Sequence, residues 1–203
     1  MPQRLIVNAD DLGYTAAVNR GILEAHEHGI VTSASLMVDR PGAQDGVARA
    51  RGTTLSVGLH AVLDRVPAED AAAELERQLA RFEELVGERP THVDSHHHTH
   101  REDAYRETFA AFAEREGLKA RDLAVRHEPR FYGGPAVTVE SLLELLATLP
   151  DGDVELGCHP GYTDGLRSRY VDERPTEVAT LTDPRVRERV QELGIVLIGW
   201  VQL

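Results

Sequence analysis

The chain is poor in cysteine and in basic residues, and each shortage excludes a class of protein. Cys158 is the only cysteine among 203 residues, so no intrachain disulfide can form and a cytoplasmic location is expected. Lys and Arg number 22 against 34 Asp and Glu, for a formal net charge of −12. Because phosphate binding needs a basic stripe, a nucleic-acid partner is not expected. No apolar run approaches the length of a membrane span, so no membrane association is expected either.

Motifs for nucleotide binding are also missing. No GxGxxG follows the first apolar run and no GxxxxGK[ST] occurs, so a nucleotide site lacks its usual sequence support. Instead, short β-branched apolar runs alternate with segments of helical periodicity, the pattern of βαβ units. The predicted strands are 5–8, 31–38, 55–60, 92–95, 123–126, 153–157 and 195–199. The predicted helices are 15–28, 43–51, 67–86, 104–116, 139–149 and 184–193.

This alternation predicts an α/β fold, with one domain spanning residues 1–203. Six or seven parallel strands in about 200 residues favour a β/α-barrel-like fold, an incomplete or distorted TIM-type barrel. An open, doubly wound sheet is the alternative.

Four clusters of polar residues follow predicted strands. They are Asn-Ala-Asp-Asp at 8–11, Gly-Leu-His at 58–60, Asp-Ser-His-His-His at 94–98 and Gly-Cys-His-Pro-Gly at 157–161. Each has an ordinary explanation when taken alone, since aspartates cap helices and Pro-Gly pairs mark turns. In parallel α/β folds, however, the carboxyl ends of the strands share one face, where active sites are built. We therefore expect the clusters to meet.

Histidine and carboxylate side chains together form a common ligand set for Zn²⁺ and similar ions. Such an ion activates water for hydrolysis, and a carboxylate beside it can accept a proton from that water. One ligand and one base is the economical assignment for the neighbours Asp10 and Asp11, and His159 is placed to protonate a leaving group. The pattern predicts a metal-dependent hydrolase.

These motifs resemble the YdjC-like carbohydrate deacetylases, a family that includes chito-oligosaccharide deacetylases. The matching segments are Val-Asn-Ala-Asp-Asp-Leu-Gly at 7–13, Gly-Ile-Val-Thr-Ser-Ala-Ser at 29–35, Gly-Leu-His at 58–60, Pro-Thr-His-Val-Asp-Ser-His-His-His at 90–98 and Cys-His-Pro-Gly at 158–161, with a weaker match at 181–187. The resemblance implies a β/α-barrel-like fold. It also implies metal-dependent removal of an N-acetyl group from an amino sugar or a sugar-containing metabolite.

The same resemblance assigns roles to individual residues. It implies that Asp11, His60 and His96 are metal ligands, that Asp10 is the general base, and that His159 is the general acid or an oxyanion partner. Three further residues are expected to support a ligand or to contact the substrate: Asp94, His98 and His100. Asp94 is expected to orient a ligating imidazole.

The implied cofactor is one divalent metal ion. Zn²⁺ and Mg²⁺ are the first candidates and Co²⁺, Ni²⁺ and Mn²⁺ are alternatives, although an Asp-His-His set suits Mg²⁺ less well than the transition metals. The expected partner is a small N-acetylated sugar, and assembly into a homodimer is left open.

The chain departs from the family pattern after His60. Only a few residues separate it from the helix that follows, where chitobiose-acting members carry a longer insertion, so we expect an open site. Two alternatives to a deacetylase remain. One is hydrolysis of another amide or a phosphoester on the same scaffold, and the other is a non-catalytic protein that binds metal or sugar.

Overall fold

Seven parallel strands form one curved sheet in the computed structural model, which describes residues 3–203. The strands are β1 (Arg4–Leu12), β2 (Ser33–Leu36), β3 (Ser56–Ala61), β4 (Val93–Ser95), β5 (Arg126–Glu128), β6 (Asp153–Cys158) and β7 (Val196–Leu197). The α-helices are α1 (Ala16–Glu27), α2 (Ala43–Ala50), α3 (Ala71–Val86), α4 (Asp103–Glu116), α5 (Val139–Leu146), α6 (Glu173–Thr182) and α7 (Pro184–Glu192). Short 3-10 helices cover Ala68–Asp70, His96–Arg101, Gly134–Val137 and Trp200–Gln202.

The strand order is β4-β3-β2-β1-β6-β5, and β7 pairs with the first residues of β1. Beyond this path, Val93 of β4 bridges to Ala120, and Arg121 bridges to Val125 beside β5. These bridges connect the two ends of the sheet through residues 120–125. The prediction of an α/β fold with six or seven parallel strands in a distorted barrel is confirmed.

The core lies on both sides of β1, which is buried along almost its whole length. A strand covered on both faces has no polar side, and this explains the unbroken apolar run at its start. Helices close the outside of the sheet through apolar stripes at helical spacing. In α3, Leu75, Leu79 and Phe82 are buried, and Gly87 ends the helix with a left-handed φ of 86°.

The observed elements differ from the predicted ones in several places, including β1, which continues to Leu12, and α5, which ends at Leu146. Helix α6 was not predicted, because its buried apolar positions are few and Pro175 lies in its first turn. Strand β5 begins three residues later than expected, since residues 120–124 form a turn that leaves Leu123 exposed. The predicted helix 67–86 starts with a separate 3-10 turn. Within residues 3–203, no helix is both long enough and apolar enough to cross a membrane.

Candidate active site

A cavity of about 400 Å³ opens at the carboxyl ends of β1, β3 and β6, bordered by the His-rich turn after β4. This volume is in the usual range of small-molecule sites, about 300–1,000 Å³. Its polar lining includes Asp10, Asp11, His60, His96, His98, His127, Tyr132, His159, Tyr170 and Arg174. The structure therefore brings together residues from all four polar clusters.

A bulge in β1 turns both aspartates toward this cavity. The register of β1 against β2 shifts between Ala9 and Leu12, and Asp11 has a left-handed φ of 70°. In a regular strand, neighbouring side chains point to opposite faces. Because of the bulge, the carboxylates of Asp10 and Asp11 both line the cavity and both are buried.

Asp11, His60 and His96 converge on one point. Asp11 Oδ1 lies 3.5 Å from His60 Nε2 and 3.2 Å from His96 Nδ1, and these three atoms lie within 4.8 Å of one another. Asp11 Oδ1 is buried and makes no hydrogen bond, whereas Oδ2 accepts one from Arg174. A buried carboxylate oxygen without a partner, facing two imidazole nitrogens, fits the donor set of a transition-metal site.

Asp10 is clamped by a buried arginine. Arg121 Nη1 and Nη2 donate to its two oxygens at 2.8 and 2.6 Å. The same guanidinium donates to Glu155 and lies 2.8 Å from Asp94 Oδ2. Burial raises the pKa of Asp10, but the charge and hydrogen bonds of Arg121 outweigh it and hold that pKa well below its usual range. Asp10 is therefore ionised at neutral pH.

His159 forms part of the cavity wall. Its Nε2 lies 3.9 Å from Asp10 Oδ2, and its backbone N–H donates to Glu177 Oε2 at 2.5 Å. The rings of Tyr132 and Tyr170 lie 5.6 and 5.2 Å from the imidazole. Burial lowers the pKa of His159 to about 4 against the opposing pull of the two aspartates, so the imidazole is neutral at pH 7.

The supporting candidates divide into three environments. Asp94 is fully buried behind His60, where its Oδ1 accepts from His60 Nδ1 at 2.7 Å. His98 faces the cavity, and burial lowers its pKa to about 3. His100 does not line this cavity, because its ring nitrogens pair with Ser95 Oγ at 2.6 Å and Asp122 Oδ2 at 3.0 Å. The backbone is left-handed at His97 and His98, and this change of direction lets His98 face the cavity while His100 does not.

Several residues of the site were not predicted, among them Arg121, Arg174, Tyr170 and Glu177. Burial raises the pKa of Glu177 to about 7, and its carboxylate accepts from the Tyr170 hydroxyl at 2.5 Å. None of the four belongs to a motif, and the two arginines are indistinguishable in the sequence from the chain's other basic residues. Only their complete burial singles out Arg121 and Arg174.

The fold and the site thus define a parallel α/β protein with a His- and Asp-lined cavity at its strand ends. The sequence model of the YdjC-like protein family matches residues 4–69 and 62–192. The chain belongs to this family. The two matches overlap at 62–69, directly after β3, which is where the sequence indicates a shortened loop.

Relatives of this family match over nearly the whole chain. A carbohydrate deacetylase of Geobacillus stearothermophilus is 35% identical over 241 aligned positions, covering 98% of this chain and 98% of the relative. A chitooligosaccharide deacetylase of Serratia marcescens is 32% identical, covering 97% and 98%. A solved Enterococcus faecalis structure, provisionally described as a cellobiose-phosphate cleavage protein, is 27% identical with a TM-score of 0.91, covering 100% and 99%.

Proposed function

We propose that this protein is a metal-dependent carbohydrate deacetylase that hydrolyses the N-acetyl group of an amino sugar or a sugar-containing metabolite. The observation that supports it most directly is the convergence of Asp11, His60 and His96 beside the second carboxylate, Asp10. The deacetylase names of the Geobacillus and Serratia relatives support the choice of an acetamide as the bond that is cleaved.

In this proposal, Asp11, His60 and His96 would hold one divalent cation, which would supply the Lewis acidity for activating water and polarising the acetamide carbonyl. Asp10 accepts the proton of the attacking water from its position beside the ligands. His159 then protonates the departing amine nitrogen, because an amide nitrogen leaves poorly as an anion. Since the imidazole is neutral at pH 7, it must first take up a proton. Asp10 Oδ2 lies 3.9 Å from His159 Nε2 and can pass on the proton that it accepted from the water.

A panel of N-acetylated sugars tests this assignment, with each sugar assayed for acetate release in the presence of Zn²⁺, Mg²⁺, Co²⁺, Ni²⁺ or Mn²⁺. We expect acetate release with at least one sugar and its loss after chelation. Phosphate release from phosphoesters without acetate release would identify the alternative hydrolase. Sugar binding with no product would identify a non-catalytic protein.

Metal content separates the proposed ligands from the proposed base. His60→Ala and His96→Ala should each abolish stoichiometric metal in elemental analysis, since each removes a ligand, whereas Asp10→Asn should keep it. Loss of metal in Asp10→Asn would make Asp10 a ligand and leave the base unassigned.

The single domain over residues 1–203 and the cytoplasmic location remain predictions. Whether the protein assembles into a homodimer remains open.

A further inference from the structure

Each of the two imidazoles proposed as ligands has one nitrogen facing the cavity and the other facing a carboxylate. For His60, Nε2 faces Asp11 and Nδ1 contacts Asp94 Oδ1 at 2.7 Å. For His96 the nitrogens are exchanged, since Nδ1 faces Asp11 and Nε2 lies 3.8 Å from Asp64 Oδ2. Both rings therefore face a carboxylate on the side away from Asp11, in a hydrogen bond for His60 and at a longer distance for His96. Only Asp94 was predicted from the sequence.

We propose that Asp64 is a positioning residue that orients His96 for cation binding, as Asp94 orients His60. This inference rests on the proposed function. A histidine that binds a metal through one nitrogen carries its proton on the other, and a carboxylate at that proton fixes the tautomer and the orientation of the ring. Cation binding through His96 Nδ1 leaves the proton on Nε2, on the side of Asp64.

Asp64 lies on a short turn that the rest of the fold holds in place. The N–H of Val66 donates to the Leu63 carbonyl at 3.0 Å, and Arg65 between them has a left-handed φ of 67°. Leu63 is fully buried, and the Tyr105 hydroxyl of α4 donates to the Val66 carbonyl at 2.7 Å. This turn therefore presents the carboxylate of Asp64 to His96 and His97.

Asp64 also contacts a second imidazole. Its Oδ1 lies 3.1 Å from Nδ1 of His97, whose side chain is 69% exposed. Asp64, His96 and His97 could accordingly hold a cation of their own. An orienting role explains the observed contacts more simply, because the two imidazoles face different Asp64 oxygens, His97 in a hydrogen bond at 3.1 Å and His96 at a longer distance of 3.8 Å. The number of cations bound distinguishes the two arrangements.

The test is calorimetric titration of metal-stripped full-length protein with Zn²⁺, comparing the wild type with Asp64→Asn, His97→Ala and Asp70→Asn. Asp70 is the matched control, since it is exposed at the end of the same link and its side chain makes no capping hydrogen bond. We expect one Zn²⁺ per chain throughout. Asp64→Asn should bind it about 10- to 100-fold more weakly, the usual effect of removing an outer partner of a ligand. His97→Ala and Asp70→Asn should match the wild type.

Thermal unfolding of the metal-free variants is measured alongside, and we expect it to be unchanged in Asp64→Asn. An unchanged Zn²⁺ affinity in Asp64→Asn would overturn the orienting role and leave the proposed function intact. If the wild-type chain binds two Zn²⁺ and the Asp64→Asn and His97→Ala variants each bind one, Asp64 belongs to a second cation site and the orienting role is overturned. No Zn²⁺ binding by the wild type would overturn both this inference and the metal site of the proposed function.

Discussion

Removing the charge of Arg121 should be among the most damaging single changes outside the proposed ligands. Its guanidinium is completely buried and contacts the carboxylates of Asp10, Asp94 and Glu155. Arg121→Gln leaves these three carboxylates in a desolvated space without their shared counter-charge. Removing one partner of a buried ion pair typically costs about 3–5 kcal/mol, a large part of the roughly 5–15 kcal/mol that stabilises a typical domain.

The loss of stability in Arg121→Gln should depend on pH. The direction of this dependence follows from the pKa of the buried carboxyl groups. In the wild type, Arg121 holds the pKa of Asp10 below the unfolded value of about 3.9, which stabilises the folded state above that pH. Without Arg121, burial prevails and raises the folded-state pKa above the unfolded one. The variant is then penalised most at neutral pH. Its deficit shrinks as the pH falls and the buried carboxyl groups take up protons in the folded state.

Urea unfolding at several pH values between 5 and 8, with EDTA present so that bound metal does not contribute, measures both effects. Glu155→Gln supplies the internal control, because Glu155 contacts Arg121 but does not line the cavity. The double variant should be more stable than the sum of the two single effects predicts, by about 1–3 kcal/mol. A loss below about 1 kcal/mol in Arg121→Gln, an equal loss at pH 5 and pH 8, or strict additivity would refute this account.

Two further predictions concern the wall formed by His159. His159→Ala should lower kcat by about 10²- to 10⁴-fold while metal content and thermal unfolding stay unchanged. Near wild-type turnover would show that His159 is only a turn residue. Gly21→Ala should destabilise the protein by about 1–3 kcal/mol in urea unfolding, since its Cβ would lie 2.5 Å from Gly161 Cα in the turn after β6. Gly46→Ala should cost clearly less, because its Cβ would lie 3.2 and 3.3 Å from the side-chain amide atoms of Asn19 and 3.3 Å from the backbone nitrogen of Gly13, with no contact as short as 2.5 Å. Equal costs would contradict the role of the short contact to Gly161.

Much of the site was predictable because its residues follow strands. Asp11, His60 and His159 each lie at or just beyond the carboxyl end of a parallel strand, and the topology of such a sheet brings those ends together. The sequence therefore indicated the meeting of the clusters without any knowledge of distances. The bulge at Asp10 and Asp11 was harder to foresee, since strand alternation alone sends two neighbouring side chains to opposite faces.

The remainder depends on contacts between distant parts of the chain. Arg121 reaches Asp10 across 111 positions, and Arg174 reaches Asp11 across 163. No local pattern encodes such pairs, and α6, which carries Arg174, was itself not predicted. In the His-rich turn, the left-handed residues His97 and His98 break the regular alternation of directions. Consequently, the composition of this turn indicated a site, but not which histidine would face the cavity.

The buried arginines also distinguish the two neighbouring aspartates. Arg121 donates to both oxygens of Asp10, whereas Arg174 donates to one oxygen of Asp11 and leaves the other free toward His60 and His96. Candidate ligand atoms of Asp10, His60 and Asp94 also lie within 4.8 Å of one another, but the guanidinium of Arg121 already contacts the carboxylates of Asp10 and Asp94. A cation placed there would face a fixed positive charge. The free oxygen of Asp11 is therefore the better ligand, and the fully paired Asp10 is left as the ionised carboxylate beside it.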